Sequence, residues 1–186
     1  MIKWISPVLA IVMLTACFHI ENTGPHKRIS GEYEVTAITS DAAFDMNNDG
    51  KKSDDLFKEI SDEHNTIDGQ SISFYSFNSF DSFLKLNQDV VAFSIPDQYI
   101  DELSNGTPFL SSYLNKVYAY KYDYDRSTKT ISVIYYNNDV PDDNIVLSIE
   151  IVSDEELRLR MSKLIFDFVD KEWSEAALTI LYRKVQ

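Results

Sequence analysis

From Ile29 onward the chain alternates apolar and polar residues in short runs separated by polar turns. An alternation of period two is typical of β-strands that bury one face. In the run at residues 32–38, Tyr33, Val35 and Ala37 share one face, which predicts a first strand with these side chains directed inward. The same pattern predicts further strands at residues 71–77, 82–86, 89–95 and 177–185.

Two hairpins are predicted in the second half of the chain. Residues 114–124 and 130–136 form the first, around a polar turn at residues 125–129. The second turns at residues 153–155. Its first strand is predicted to bury Ile145, Leu147, Ile149 and Ile151. Its second strand is predicted to bury Leu157, Leu159 and Met161, with Arg158 and Arg160 on the opposite face.

Short helices are predicted at two places between the strands. At residues 54–60, Ser53 is placed as the N-terminal cap, and Leu56 and Ile60 lie on one side. Residues 97–103 are predicted to form one helical turn that ends at the Asn105-Gly106 pair.

Eight or nine sequential strands with short connections predict an antiparallel up-and-down β-barrel, and a β-sandwich is the alternative. Residues 29–186 are enough for one domain with its own core. The net charge of −13 argues against a nucleic-acid partner, because the phosphate backbone repels an acidic surface. An aromatic content of 13% agrees with a packed β core.

The N-terminus has the features of a lipoprotein signal peptide. Lys3 precedes an apolar run at residues 8–14, and small residues lead to the only cysteine, Cys17. The run is shorter than the roughly 20 apolar residues that a membrane-spanning helix needs. We therefore predict a signal peptide at residues 1–16, lipid attached to Cys17, and a tether at residues 17–28. The domain is then anchored to a bilayer in the cell envelope, outside the cytoplasm and most simply on the outer membrane.

The order of these features resembles the lipocalin-like lipoproteins of Bacteroidota. Gly31-Glu32-Tyr33 is similar to the Gly-x-Trp opening of lipocalin-type barrels, with tyrosine in place of tryptophan. The resemblance implies that Arg183 in the last strand lies over the ring of Tyr33 and closes that end of the barrel. It also implies an up-and-down barrel with an interior cavity, although a fold alone does not define a function.

Residues 45–53 match the first nine positions of a calcium-binding loop. Oxygen-bearing side chains alternate along it, and Gly50 occupies the sixth position, where the backbone must turn sharply. Leu56 replaces the usual acidic residue at the twelfth position, so that Asp55 would complete the site, with Glu59 a more distant candidate. The alternative is a metal-free turn that precedes a helix. The expected ligands of a structural calcium ion are Asp45, Asn47, Asp49, Ser53, Asp55 and the carbonyl of Lys51.

Four tyrosines alternate with Ala119, Lys121 and Asp123 along one predicted strand. Because Lys121 and Asp123 belong in water, the four rings are predicted to face inward. They would either line a ligand cavity or fill a packed core. These residues are Tyr118, Tyr120, Tyr122 and Tyr124.

The sequence contains no recognisable catalytic constellation. Only one of three histidines, His64, lies in the predicted domain, and no cysteine follows Cys17. We therefore expect no enzyme. Two classes of function remain: a module that binds a small apolar or amphipathic ligand in the barrel, and a surface-interaction or structural lipoprotein that contacts another surface protein without a small-molecule pocket.

Overall fold

A computed structural model describes residues 26–61, 65–67, 70–72, 83–87, 89–135 and 144–185. The elements of this part of the chain follow one another as α1 (His26–Ile29), β1 (Gly31–Phe44), β2 (Ser53–Asp55), α2 (Leu56–Ser61), β3 (Asn65–Ile67), β4 (Gln70–Ile72), β5 (Phe83–Leu86), β6 (Val90–Glu102), β7 (Pro108–Asp125), β8 (Thr130–Ile134), β9 (Asn144–Ile151), β10 (Glu156–Asp167) and β11 (Glu172–Lys184).

Eight of these strands close into the antiparallel barrel predicted from the alternation. Each strand from β5 to β11 pairs with the next one along the chain, and β1 pairs with both β5 and β11. Strand β2 adds to β1, and β3 and β4 form a separate small hairpin. Most of the predicted strand at residues 71–77 lies outside the described residues.

The two ends of the barrel differ. At one end, which we call the tether end after the tether predicted at residues 17–28, β1 begins at Gly31 and β11 ends at Lys184, next to α1. At the mouth, β1 ends at Phe44, and the turn between β10 and β11 joins Asp167 to Glu172. Between the ends, the inward side chains of β10 form much of the core. Leu157, Leu159 and Met161 are fully buried, as predicted.

The predicted inward face of the first strand is wrong at one position. Tyr33 and Val35 are buried, but the alternation then changes, and Ile38 is buried while Ala37 is only half-buried. The pairing of β1 with β11 shifts its register between Val35 and Ala37. A β-bulge inserts one residue into a strand and thereby exchanges the two faces beyond it.

A second bulge corrects the prediction for Leu147, whose side chain is 56% exposed. In the pairing of β9 with β10, Arg160 lies opposite Ser148, whereas Met161 lies opposite Val146. Leu147 is therefore the extra residue, and Val146 is buried in its place. Ile149 keeps the predicted inward position.

Residues 97–103 do not form the predicted helical turn. Strand β6 continues to Glu102 and pairs with the first half of β7. The backbone N–H of Leu103 donates to the carbonyl of Thr107 at 2.9 Å, and Gly106 adopts a φ of 77° in the turn. The pairing with a neighbouring strand therefore overrides the local preference of these polar residues for a helix.

The predicted helix near residue 54 starts later than expected. Helix α2 buries Leu56 and Ile60 as predicted, but its first residue is Leu56. The side chain of Asp55 accepts a hydrogen bond from the backbone N–H of Lys58 at 3.2 Å, whereas Ser53 accepts one from Asp55 at 3.1 Å. The N-terminal cap is therefore Asp55, and Ser53 belongs to β2.

A lysine instead of the expected arginine lies over Tyr33 at the tether end. The Nζ atom of Lys184 is 5.9 Å from the centroid of the Tyr33 ring. Register explains the difference, because Tyr33 lies opposite Lys184, and Arg183 lies opposite Glu34. Directly opposed residues share one face of a sheet, so Arg183 faces outward. It forms an exposed ion pair with Glu156 at 3.6 Å.

The hydroxyl group of Tyr33 donates to the carbonyl of Ile29 at 2.5 Å, and Lys184 Nζ donates to the carbonyl of Arg28 at 2.8 Å. These two bonds fasten α1 across the tether end. At Gly31, a Cβ atom would lie 2.8 Å from Cε of Lys184, so that only glycine leaves room for the lysine side chain in this position.

Candidate functional site

Side chains from β6 and β7 hold the residues after β1 in place at the mouth. The hydroxyl group of Tyr113 donates to the carbonyl of Met46 at 2.9 Å. The side-chain amide of Gln98 donates to the same carbonyl at 3.4 Å. Met46 is itself buried, so the chain that leaves β1 is packed onto the mouth of the barrel.

An ion pair between a buried lysine and a partly exposed aspartate spans the mouth, between two strands that are not neighbours in the sheet. Lys163 on β10 is only 4% exposed, and its Nζ atom contacts the carboxylate of Asp97 on β6. Nζ also donates to Oδ1 of Asn144, the first residue of β9, at 3.2 Å. A buried ammonium group requires such partners, because removing one of them leaves a charge without solvent or counter-ion.

A cavity of about 290 Å³ opens beside this ion pair. Its volume is close to the lower limit of cavities that bind small molecules, which is about 300 Å³. Trp173 on β11 is 49% exposed, and its ring lies edge-on to Phe166 at a centroid distance of 5.5 Å. The residues that line the cavity are Asp97, Gln98, Asn144, Lys163, Leu164 and Trp173.

Deeper in the barrel, α2 closes the interior beneath the mouth. The void between this helix and the strands is only about 10 Å³, which leaves space for no more than a water molecule. Leu56 and Ile60 project from α2 into this region and are almost fully buried. The other residues around the void are Ile38, Met46, Ile95, Pro96, Lys163, Ile165, Leu178 and Ile180.

The four tyrosines of β7 face inward, as predicted, and pack against the core. Tyr118 and Tyr120 stack at a centroid distance of 6.4 Å, and Phe93 contacts both rings, at 5.5 and 6.1 Å. The hydroxyl group of Tyr122 donates to the carbonyl of Asn87 at 2.7 Å. Tyr124 packs against the same core. These contacts favour a packing role for the ladder; a ligand cavity lined by the tyrosines stays a prediction.

The predicted calcium loop places three of its candidate ligands together. Asp45 and Asn47 are almost fully buried, whereas Asp49 is exposed. The two carboxylate oxygens of Asp45 accept the backbone N–H groups of Asp49 at 3.2 Å and Gly50 at 3.0 Å. Oδ1 of Asn47 accepts the same N–H of Asp49 at 3.1 Å. Burial raises the pKa of Asp45.

The remaining candidate side chains lie outside this group, because Ser53 and Asp55 form the hydrogen bonds at the start of α2. The carboxylate of Asp49 also accepts the backbone N–H of Lys51 at 2.8 Å. Glu59, the more distant candidate, accepts the backbone N–H of Met46 at 3.2 Å. Within the described ranges, no three acidic, histidine or cysteine side chains are placed to hold a metal ion. Calcium binding stays a prediction.

Lys52 connects this loop to the turn between β10 and β11. Its Nζ atom lies 2.7 Å from the carboxylate of Asp167 and 2.5 Å from that of Asp170. Hydrogen bonds to these two carboxylates raise the pKa of Lys52. Asp167 is almost fully buried. The loop is therefore fixed at the rim of the mouth by an ion-pair contact that local sequence does not reveal.

One residue of the cavity, Lys163, could be recognised in the sequence if the predicted strand that ends at Met161 were extended to the observed end of β10. Lys163 follows Leu157, Leu159 and Met161 at the same spacing of two, so it occupies an inward position where a charged residue is unexpected. Its partners Asp97 and Asn144 are distant in sequence, and no local pattern connects them.

The predicted signal peptide, Cys17 and His64 lie outside the described residues. Neither of the two helices described is long and apolar enough to cross a membrane. Comparison of the chain with known protein families, characterised proteins and solved structures gave no match. The described residues thus define a closed antiparallel β-barrel with a polar cavity at its mouth.

Proposed function

We propose that the protein is a lipid-anchored, extracytoplasmic barrel of the lipocalin-like kind that binds a small amphipathic ligand at its mouth. The observation that carries this proposal is the cavity of about 290 Å³ beside the ion pair of Lys163 and Asp97. Polar groups that converge on a partly apolar cavity are typical of small-molecule sites.

The lining of the cavity fits an amphipathic molecule. Trp173 and Leu164 provide apolar surface that is partly open to solvent. Asp97, Lys163 and Asn144 provide hydrogen-bonding groups. A ligand with both apolar and polar groups would contact both parts of the lining without leaving a buried polar group unpaired.

The geometry of the barrel is compatible with the predicted anchor. The chain enters β1 at the tether end, opposite the mouth. A lipid on Cys17 would therefore leave the mouth directed away from the bilayer. Two or three acyl chains, each contributing about 0.8 kcal/mol per buried methylene, would make the attachment nearly permanent.

Metabolic labelling with an alkyne fatty acid tests the anchor. The wild type should incorporate the label and fractionate with membranes, and Cys17→Ala should do neither. A Cys17→Ala protein that still carries label in the membrane fraction would place the anchor at another residue.

The ligand is tested by native mass spectrometry of the protein purified from its own host, and by titration with a neutral naphthylamine dye. We expect a co-purified small molecule, or saturable dye fluorescence that Lys163→Met reduces. Lys129→Met provides the control, because Lys129 is exposed in the turn before β8. If no small molecule co-purifies and the dye gives no response, the surface-interaction alternative remains. Leu114 and Val117 on β7 favour that alternative, since both are more than half exposed.

We also propose that the loop at Asp45, Asn47 and Asp49 binds calcium weakly as a structural ion. An ion would neutralise the two neighbouring carboxylates and stabilise the segment that leads to α2. Calorimetry and thermal melting in calcium and in chelator test this proposal, with Asp49→Ala as the variant and exposed Asp101→Ala as the control. No heat of binding, together with equal melting temperatures in both buffers, would establish a metal-free turn.

A further inference from the structure

The polar groups at the mouth cavity are balanced in charge. The ammonium of Lys163 already contacts the carboxylate of Asp97, so the pair has no net charge to offer a ligand. Asn144 adds an amide side chain at the same wall. Together these three groups present hydrogen-bond donors and acceptors side by side. A hydroxyl group on the ligand can both donate and accept a hydrogen bond, so it can pair with these side chains in either direction.

The surroundings disfavour other ligand classes. An anion would approach a protein with a net charge of −13, and Glu172 and Glu175 flank Trp173 on β11. A purely apolar ligand would strip water from the partly exposed carboxylate of Asp97 without replacing its hydrogen bonds, which is costly for a charged group. A neutral ligand with several hydroxyl groups meets neither obstacle.

Trp173 adds an aromatic surface to the lining of the cavity. Trp173 is half exposed, and its indole is supported from the side by Phe166 at 5.5 Å. The C–H face of a pyranose ring is apolar and flat, whereas its edge carries hydroxyl groups. An indole and hydrogen-bonding side chains that line the same cavity therefore match the apolar face and the hydroxyl groups of a sugar.

We propose that the mouth cavity binds a carbohydrate, with the sugar ring against Trp173 and its hydroxyl groups bonded to Asp97, Lys163 and Asn144. This inference rests on the proposed function and names the chemical class of its ligand. A cavity of about 290 Å³ accommodates one sugar ring. Because the site is at the mouth, a longer glycan would continue into solvent beyond the terminal sugar.

The chain allows a direct fluorescence measurement. It contains only two tryptophans, Trp4 and Trp173, so in the full chain carrying Trp4→Phe all tryptophan emission comes from the cavity. The probes are the methyl glycosides of glucose, galactose, mannose and N-acetylglucosamine, followed by the corresponding disaccharides. Glycerol at equal concentration controls for a general solvent effect. At least one glycoside should change the Trp173 emission saturably.

Variants identify the groups that bind the probe. Asp97→Asn and Trp173→Leu should each weaken glycoside binding about tenfold or more, the loss expected when one charge-assisted hydrogen bond or one aromatic contact is removed. Because Trp173→Leu lacks the fluorophore, its glycoside binding is measured by saturation-transfer NMR on the glycoside protons. Val117→Ala is the control, because Val117 is exposed on β7. Should Asp97→Asn fail to fold, half-exposed Trp173→Leu still decides the question.

The outcomes separate this inference from the proposed function. Saturable glycoside binding that Trp173→Leu weakens and Val117→Ala preserves supports a carbohydrate site. If the neutral naphthylamine dye changes Trp173 emission and no glycoside does, the carbohydrate inference is overturned, and the small-ligand function stands. If neither the dye nor any glycoside changes the Trp173 emission, the carbohydrate inference and the small-ligand function are both overturned.

Discussion

The side-chain amide of Gln98 pairs with the backbone of Phe166 as a neighbouring strand would. Its Oε1 accepts the N–H of Phe166 at 2.8 Å, and its Nε2 donates to the Phe166 carbonyl at 3.0 Å. Strands β6 and β10 are not neighbours in the sheet, so this one side chain joins opposite walls at the mouth. Gln98 is buried, and water does not compete for the two bonds.

Replacing Gln98 by Leu should therefore lower the free energy of unfolding by about 2–4 kcal/mol, because two buried backbone groups lose their partners. Urea denaturation measures the change. Glu102→Gln, which is exposed on the same strand, should stay within about 0.5 kcal/mol of the wild type. A Gln98→Leu protein as stable as this control would mean that the two bonds contribute nothing net.

Two tyrosines on different strands form a matched pair for testing buried hydroxyl groups. The hydroxyl of Tyr182 is buried and has no hydrogen-bond partner among the described residues, whereas that of Tyr122 donates to Asn87 at 2.7 Å. We expect Tyr122→Phe to cost about 0.5–1.5 kcal/mol and Tyr182→Phe to be neutral or stabilising. Thermal melting of both variants provides the comparison. Equal destabilisation by the two substitutions would show that Tyr182 has a partner after all.

The ring contacts of the tyrosine ladder predict the result of truncating it. Tyr120 packs against Phe93, Tyr118 and Tyr135, so Tyr120→Ala should cost about 2–4 kcal/mol through lost contacts and the space left behind. Val117→Ala, on the same strand but exposed, should have little effect. A small cost for Tyr120→Ala, with uptake of an apolar dye by the wild type, would instead indicate a hollow interior at the ladder.

Alkaline pH should destabilise the barrel. Burial raises the pKa of Tyr33 to about 12, from the ordinary value near 10. Between these two values the unfolded chain has lost a proton that the folded protein keeps, so the free energy of unfolding falls as pH rises, and it is fully retained below about pH 10. Burial also raises the pKa of Tyr113, Tyr122, Tyr135 and Tyr182.

Urea midpoints measured from neutral pH to about pH 12 test this dependence. The decline should be shallower in Tyr33→Phe, because one of the contributing groups is gone, and unchanged in Val117→Ala, which removes only exposed apolar atoms. If the urea midpoint falls with pH equally steeply in Tyr33→Phe and in the wild type, burial does not raise the pKa of Tyr33 as expected.

The fold class follows from the sequence because period-two alternation is a property of each strand alone. The faces of β10 and of the tyrosine ladder were predicted for the same reason. The bulges near Ala37 and at Leu147 were not, since a bulge depends on the register of two strands that are far apart in sequence. For the same reason, the sequence predicted Arg183 over the ring of Tyr33, whereas the register of β1 with β11 places Lys184 there.

The mouth cavity was harder to predict than the fold. Its lining residues come from four strands: Asp97 and Gln98 from β6, Asn144 from β9, Lys163 and Leu164 from β10, and Trp173 from β11. The residues of the predicted calcium loop and of the tyrosine ladder, by contrast, lie close together in sequence, so a local pattern can identify them. Closure of a barrel brings together side chains that no short motif contains.

Closure also sets the order in which the molecule can form. Strand β1 is the first strand of the barrel and β11 the last, and the two pair along Tyr33 to Ser40. Until Lys184 is available, the edge of β1 has no barrel partner on that side, and contacts between residues so distant in sequence form slowly. If the predicted signal peptide directs export, a chain that enters the export channel from its N-terminus would therefore still be unfolded while it passes through. Completion of the barrel would then coincide with release on the far side of the membrane.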